Sequence, residues 1–285
     1  MNEATLATEP VLVVHGIGVR DQHGFNGQVQ QMAAAIGPRY ALIPVHWGEL
    51  AASTLHLEKI MATKPAVKGE PAIQIQAVEG GWWNEVLRGA GKAIKRGGRA
   101  ADEGLRGLLR AGISENIVPY LGDILVYQGM REQFHRTVRS CIPNGYGTID
   151  RPIKAIGHSL GGVMLFDLAV TTSGPPIWFS HLVTLGSQPS FFHLQHQRSD
   201  AVKEYAGEPV ALPPMIQAWT NVLDDDDWLA FAVEPIFRLS SGSRPSDRWV
   251  DNTEGTYTDL FTLAAHTLYW GNPAVHAIIR EAFAC

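Results

Sequence analysis

The stretch "IKAIGHSLGGVMLFDLAV", residues 153–170, decides how the chain reads. Its first part is a short apolar run of strand length, and its second part is apolar and helix-like. Between them stands Gly157-His158-Ser159-Leu160-Gly161-Gly162. A turn this tight drives the side chains two before and two after the serine into backbone, and glycine at both places removes the clash. Gly162 lets the helix approach the sheet closely. A serine that served only as a helix cap would need no flanking glycines. The spacing predicts a hydroxyl presented at a strand end, ready to act as a nucleophile.

Working outward, short β-branched runs recur, each closed by glycine or a polar cluster. They are "VLVVHG" (11–16), "ALIPVHW" (41–47), "IKAIGHS" (153–159), "HLVTLGS" (181–187), "MIQAWTNV" (215–222) and "RWVDN" (248–252). Runs apolar on both faces and separated by helix-length segments predict a mostly parallel sheet covered by helices on both sides. Helical patterns fit 26–36, 115–140, 160–171 and 273–283, the last with Asn272 as N-cap and Pro273 at the first helical position. Roughly 110 residues separate the second strand run from the third, where one crossover helix needs far fewer. Residues 50–118 therefore read as a helical cap or lid insertion within a single domain spanning 1–285.

A net charge of −5 argues against a general nucleic-acid binder, because phosphate affinity is built from Lys and Arg. Two distant cysteines, Cys141 and Cys285, build neither a disulfide framework nor a metal knuckle. The N-terminus lacks a basic region followed by a long apolar run, and the least charged stretch, 168–197, is broken by "SGPP" and "GSQPS". The expectation is a cytoplasmic protein without a membrane span.

A serine hydroxyl needs a base within hydrogen-bond reach, oriented in turn by an acid. Two histidines follow the last strand run. His276 lies inside the C-terminal helical pattern, where packing is the ordinary role, whereas His266 sits in the loop just before it and is the candidate base. The other histidines are background, and His193 and His196 read as loop residues. "WTNVLDDDDWLA" offers Asp224 to Asp227 after a strand run. Asp227 is preferred as the acid and Asp224 is the alternative. Four adjacent carboxylates also read as a divalent-metal site or a solvated acidic loop. Charge developing on a carbonyl oxygen needs preorganised N–H donors. The backbone of Leu160 offers one, and that of Ile17, in "VLVVHGIG" (11–18), offers the other.

Together "VLVVHGIG", "IKAIGHSLGG", "HLVTLGSQP", "WTNVLDDDDWLA" and "HTLYW" resemble the α/β-hydrolase superfamily, in its lipase/esterase-like branch. The resemblance implies the α/β-hydrolase fold, with Ser159 as nucleophile, His266 as base, Asp227 as acid, and Ile17 and Leu160 as oxyanion donors. "YLGDILVY" (120–127) also resembles a stretch upstream of the serine in some lipase-like bacterial proteins. The implied chemistry is hydrolysis of a carboxylic ester through an acyl-enzyme, with no metal or organic cofactor. An amidase, thioesterase or acyltransferase uses the same triad, and a catalytically silent binding module shares the fold.

The substrate expected is a small-molecule or lipid ester, with Trp228 and Phe231 lining the pocket, "SQPSFF" (187–192) as another wall, and Trp219 supporting the acid loop. Trp82 and Trp83, among the basic residues of 80–113, would give peripheral contact with anionic lipid. The simpler reading is a solvated cap with its tryptophans packed inward.

Overall fold

The computed structural model describes residues 8–51, 122–171, 174–195, 201–252 and 264–284. The insertion read over 50–118, with Trp82 and Trp83, lies outside them from residue 52 onward, as does His196. Strand β1 (Glu9–Val14) leads into helix α1 (Gln22–Ile36) and strand β2 (Tyr40–Val45). A helix over 122–140, α2, precedes β3 (Ile153–His158) and α3 (Leu160–Val170). Next come β4 (Phe179–Leu185), the short α4 (Pro189–Leu194), β5 (Val210–Ala211), β6 (Trp219–Leu223), β7 (Phe237–Arg238) and β8 (Ser246–Trp249). The chain closes with α5 (Ala264–Thr267), a 3₁₀ turn over Leu268–Gly271 and α6 (Pro273–Ala284).

Six strands form one parallel sheet in the order β2-β1-β3-β4-β6-β8. The run "VLVV" shows why both faces are covered. Val11 and Val13 point into a core shared with Phe25, Val29 and Met32 of α1 and Val275, Ile279 and Phe283 of α6. Leu12 and Val14 point into the opposite core, with Phe134 and Val138 of α2 and Val163 and Leu168 of α3. Each such fully buried side chain contributes roughly 2 kcal/mol relative to exposure, so the strand is pinned in register from both sides. This is an α/β architecture with a mostly parallel sheet, as the doubly apolar runs predict.

The strand order reverses between β1 and β3, because β1 leads to β2 on one side while β3, β4, β6 and β8 extend on the other. A crevice outside the carboxyl ends of the strands opens at such a switch point. Residues 15–18, Ser159 and the aspartate run all directly follow strands at that end.

Two details depart from the sequence reading, and the expected Asn272 cap is present. The run at 215–222 starts its ladder only at Trp219, with Ile216 forming an isolated bridge to Phe179. His193 is not a loop residue: it lies in α4, buried, with its ring edge-on 5.2 Å from Phe237. Asn272 Oδ1 accepts the N–H of Ala274 at 2.8 Å, which caps α6. Among the described residues no helix is long and apolar enough to cross a membrane.

Candidate active site

Ser159 has φ 53° and ψ −128°, and among the described residues it is the one non-glycine with positive φ. That conformation costs of order 1–3 kcal/mol and persists only where its surroundings over-determine it. They do so here. The Ser159 N–H donates to the Leu185 carbonyl at 2.9 Å, and the Ser159 carbonyl accepts from the Gly162 N–H at 3.0 Å and the Ser187 hydroxyl at 2.6 Å. The flanking glycines follow from close approach. A Cβ on Gly157 would sit 2.5 Å from Gly162 Cα, and one on Gly161 would sit 2.4 Å from the Val14 carbonyl oxygen.

The Ser159 Oγ lies 2.8 Å from His266 Nε2, at 107 residues' separation. The ring is carried by the one-turn helix α5. The other ring nitrogen, Nδ1, donates to Asp227, 3.0 Å from Oδ1 and 2.9 Å from Oδ2. With Nδ1 protonated, the neutral imidazole presents a lone pair at Nε2 to the serine hydroxyl. All three side chains are buried. Asp227 is further fixed by the Leu229 N–H on Oδ1 at 2.9 Å and the Tyr269 hydroxyl on Oδ2 at 3.0 Å. Burial, reinforced by the Asp227 charge, pushes the Tyr269 phenol far above its ordinary value, so it stays protonated and donates to that carboxylate.

Asp224 does not join this chain. Its oxygens accept the N–H groups of Asp226 at 2.9 Å and Asn252 at 2.6 Å, and burial raises its pKa above the ordinary carboxylate value. The Asp227 N–H donates to the Asp224 carbonyl at 3.2 Å, a turn that carries Asp227 away from its neighbours. Asp224, Asp225 and Asp226 each place a carboxylate oxygen within 4.8 Å of the others, and among the described residues nothing else at that loop points to a ligand.

The loop after β1 is pressed against the serine: a Cβ on Gly16 would meet Ser159 Cβ at 2.6 Å. His15 anchors this loop. Its Nε2 accepts the Trp47 N–H at 3.0 Å, its carbonyl accepts the Trp47 indole N–H at 2.9 Å, and the two rings stack at 4.5 Å. Burial lowers the His15 pKa to about 3, so the ring is neutral. Among the described residues no hydrogen bond engages the backbone N–H of Ile17, and that of Leu160 opens a helix, where no intrahelical partner exists.

Two residues that sequence reasoning passed over belong to this site. His158 donates Nε2–H to the His266 carbonyl at 2.6 Å, and burial first, then the neighbouring His266, depresses its pKa to about 3. Tyr269 is the other; it stands three residues after His266 in "HTLYW", a spacing that alone does not separate it from a core tyrosine. Of the residues expected to line a pocket, Trp228 is 63% exposed. Phe231 is half-buried and packs on Phe191 of α4 with centroids 4.9 Å apart. Trp219 supports no acid loop: its indole donates to Thr184 at 2.9 Å and stacks on Phe237. His276 packs within α6, with Nε2 2.8 Å from the Trp270 carbonyl.

No family model matches the sequence, and no curated protein matches it. Among solved structures, the esterase domain of a Rhodothermus marinus protein aligns over 99% of this chain and 90% of that one, at 14% identity and a TM-score of 0.31. A likeness of that degree carries no weight for fold or chemistry.

Proposed function

We propose that the chain is a serine hydrolase of the α/β-hydrolase kind that cleaves carboxylic esters. The carrying observation is Ser159, held at positive φ at a strand end with its Oγ 2.8 Å from a histidine whose far nitrogen is seated on a buried aspartate. In this reading Ser159 Oγ attacks the ester carbonyl carbon while its proton passes to His266 Nε2. Asp227 holds the resulting imidazolium. The N–H groups of Ile17 and Leu160 receive the oxyanion, a stabilisation of about 3–4 kcal/mol per donor. Collapse breaks the bond to the alcohol oxygen, which takes the proton from His266. Water then gives up a proton to His266 and attacks the acyl carbon; the bond to Ser159 Oγ breaks, His266 returns the proton to that oxygen, and the acid is released.

An apolar acyl group suits the paired rings of Phe191 and Phe231 and the exposed Trp228, which follow β4 and β6 at the same end of the sheet as Ser159. Intact-mass labelling with a fluorophosphonate, alongside hydrolysis of p-nitrophenyl esters of rising chain length, tests the proposal. One adduct, absent in Ser159→Ala, with ester turnover lost in the same variant, is the expected outcome. A wild type that neither labels nor turns over any ester overturns it; labelling without ester turnover moves the substrate to an amide or thioester.

A further inference from the structure

Asp123 lies in the first described turn of α2 and is fully buried, yet it has no place in the chemistry above. Its Oδ2 accepts the Gly18 N–H at 2.8 Å, and its Oδ1 pairs with Arg20 Nη2 at 2.5 Å. Arg20 also donates to the Ala51 carbonyl at 3.2 Å. Gly18 has φ 76°, so the chain turns back immediately after Ile17 at the point the carboxylate grips. One turn along the same helix, the buried Tyr127 hydroxyl donates to Asp167 Oδ2 of α3 at 2.7 Å. A second contact, with His135 Nε2 at 3.1 Å, fixes that hydroxyl further. Residues i and i+4 of one helix face thus reach two different elements. One carries Ile17; the other opens with Leu160.

We propose that Asp123 and Tyr127 are positioning residues, and that α2 is a bracket setting the gap between the backbone N–H groups of Ile17 and Leu160. This rests on the serine-hydrolase reading. The β1–α1 loop has no ladder of its own to hold Ile17 in place, whereas α3 is a rigid helix. A carboxylate gripping the residue next to Ile17, on the element that also ties down α3, fixes both donors to one frame. An oxyanion demands both N–H groups about 3 Å from a single point, so a loosened loop forfeits transition-state binding and leaves ground-state binding in place. Asp123 and Tyr127, legible in the sequence only as part of a similarity, gain a role in this way.

The test measures kcat and KM on an ester the wild type cleaves, affinity for an alkyl boronic acid that forms a tetrahedral adduct on Ser159, and amide exchange at Gly18. In Asp123→Ala, kcat falls about 30- to 100-fold with KM within about threefold, boronate affinity falls in step, and Gly18 exchanges faster. Asp123→Asn, whose amide oxygen still accepts the Gly18 N–H, loses about tenfold. Tyr127→Phe loses about tenfold, and with Asp123→Ala combines to less than the product, because both residues set one gap. Lowered melting temperatures with kcat and boronate affinity unmoved would show both residues to be structural and overturn the bracket while leaving the hydrolase reading intact. If Asp123→Ala does not fold, Asp123→Asn and Tyr127→Phe decide by the same two readouts. A wild type without fluorophosphonate labelling or ester turnover removes the hydrolase reading and the bracket together.

Discussion

Asp227 receives the His266 ring, the Leu229 N–H and the Tyr269 hydroxyl, while Asp224, three residues earlier, spends its oxygens on two backbone N–H groups. Four consecutive aspartates are chemically alike in a sequence, and the turn that separates them is a backbone event, so which of them meets the His266 ring was not legible there. The difference is measurable. Asp227→Asn lowers kcat on an ester by about 10³-fold or more, since an amide cannot hold the imidazolium or its tautomer. Asp224→Asn, which keeps an acceptor, stays within about threefold. Equal losses in the two variants would dismiss the assignment. Tyr269→Phe removes one of three donors from the Asp227 carboxylate and lowers kcat/KM about fivefold, roughly the 1 kcal/mol of one hydrogen bond. Ser159 and its glycines were legible because a steric demand leaves a residue-type signature; Tyr269 was not, because a buried tyrosine reads equally well as core.

The elements follow the same logic. Five of the six strands of the main sheet were announced by apolar runs, since a strand buried on both faces has little choice of residue, whereas the edge strand β8 is polar and only partly buried, and the run read at 248–252 catches only its last two residues. The two-residue strands β5 and β7, paired beside it, are too short to leave any pattern. Nor does a sequence reveal which helices clasp each other. Between α2 and α3 the clasp is Asp167, to which Tyr127 donates and beside which Arg131 Nε lies 3.4 Å away. Burial pushes the Asp167 carboxyl up to about 6 against the opposing pull of Arg131 and Tyr127. The folded state therefore holds a proton between about pH 4 and 6 that the unfolded chain has released. That contribution is fully present below the unfolded value and is lost as pH rises through about 6. Asp167→Asn keeps an acceptor for Tyr127 and removes the buried charge. It raises unfolding free energy at pH 7 by about 1–2 kcal/mol and flattens this group's slope between pH 4 and 6. A variant less stable than wild type at pH 7 would mean that the Arg131 pair outweighs the burial of the charge.

At the scale of the whole molecule, the buried histidines among the described residues outweigh that aspartate. His15, His158, His135 and His181 are buried on different elements, and desolvation takes the first two down to about 3 and the others to about 4. Each stays neutral in the fold, while in the unfolded chain it takes up a proton below its ordinary value near 6.5. Between pH 6.5 and about 4 the unfolded state thus binds more protons. Stability rises with pH across that window and is lost on acidification, with each histidine adding a slope of at most about 1.4 kcal/mol per pH unit. Burial of Asp167 and Asp224, whose carboxyls are raised, opposes this, while His46, also lowered by burial, adds to the four histidines, so the sum is acid lability. Urea unfolding at half-unit steps from pH 7.5 to 4.5 reads the slope directly. His181 isolates one share of it. The ring sits 2.9 Å from the Thr220 hydroxyl and against Phe283, in the strand interior and not among the residues that meet Ser159. His181→Gln therefore flattens the slope by about one histidine's worth and leaves ester turnover at pH 7.5 within about twofold. An unchanged slope would mean that the ring is protonated in the fold as readily as outside it, and that burial at this end of the sheet does not exclude its charge.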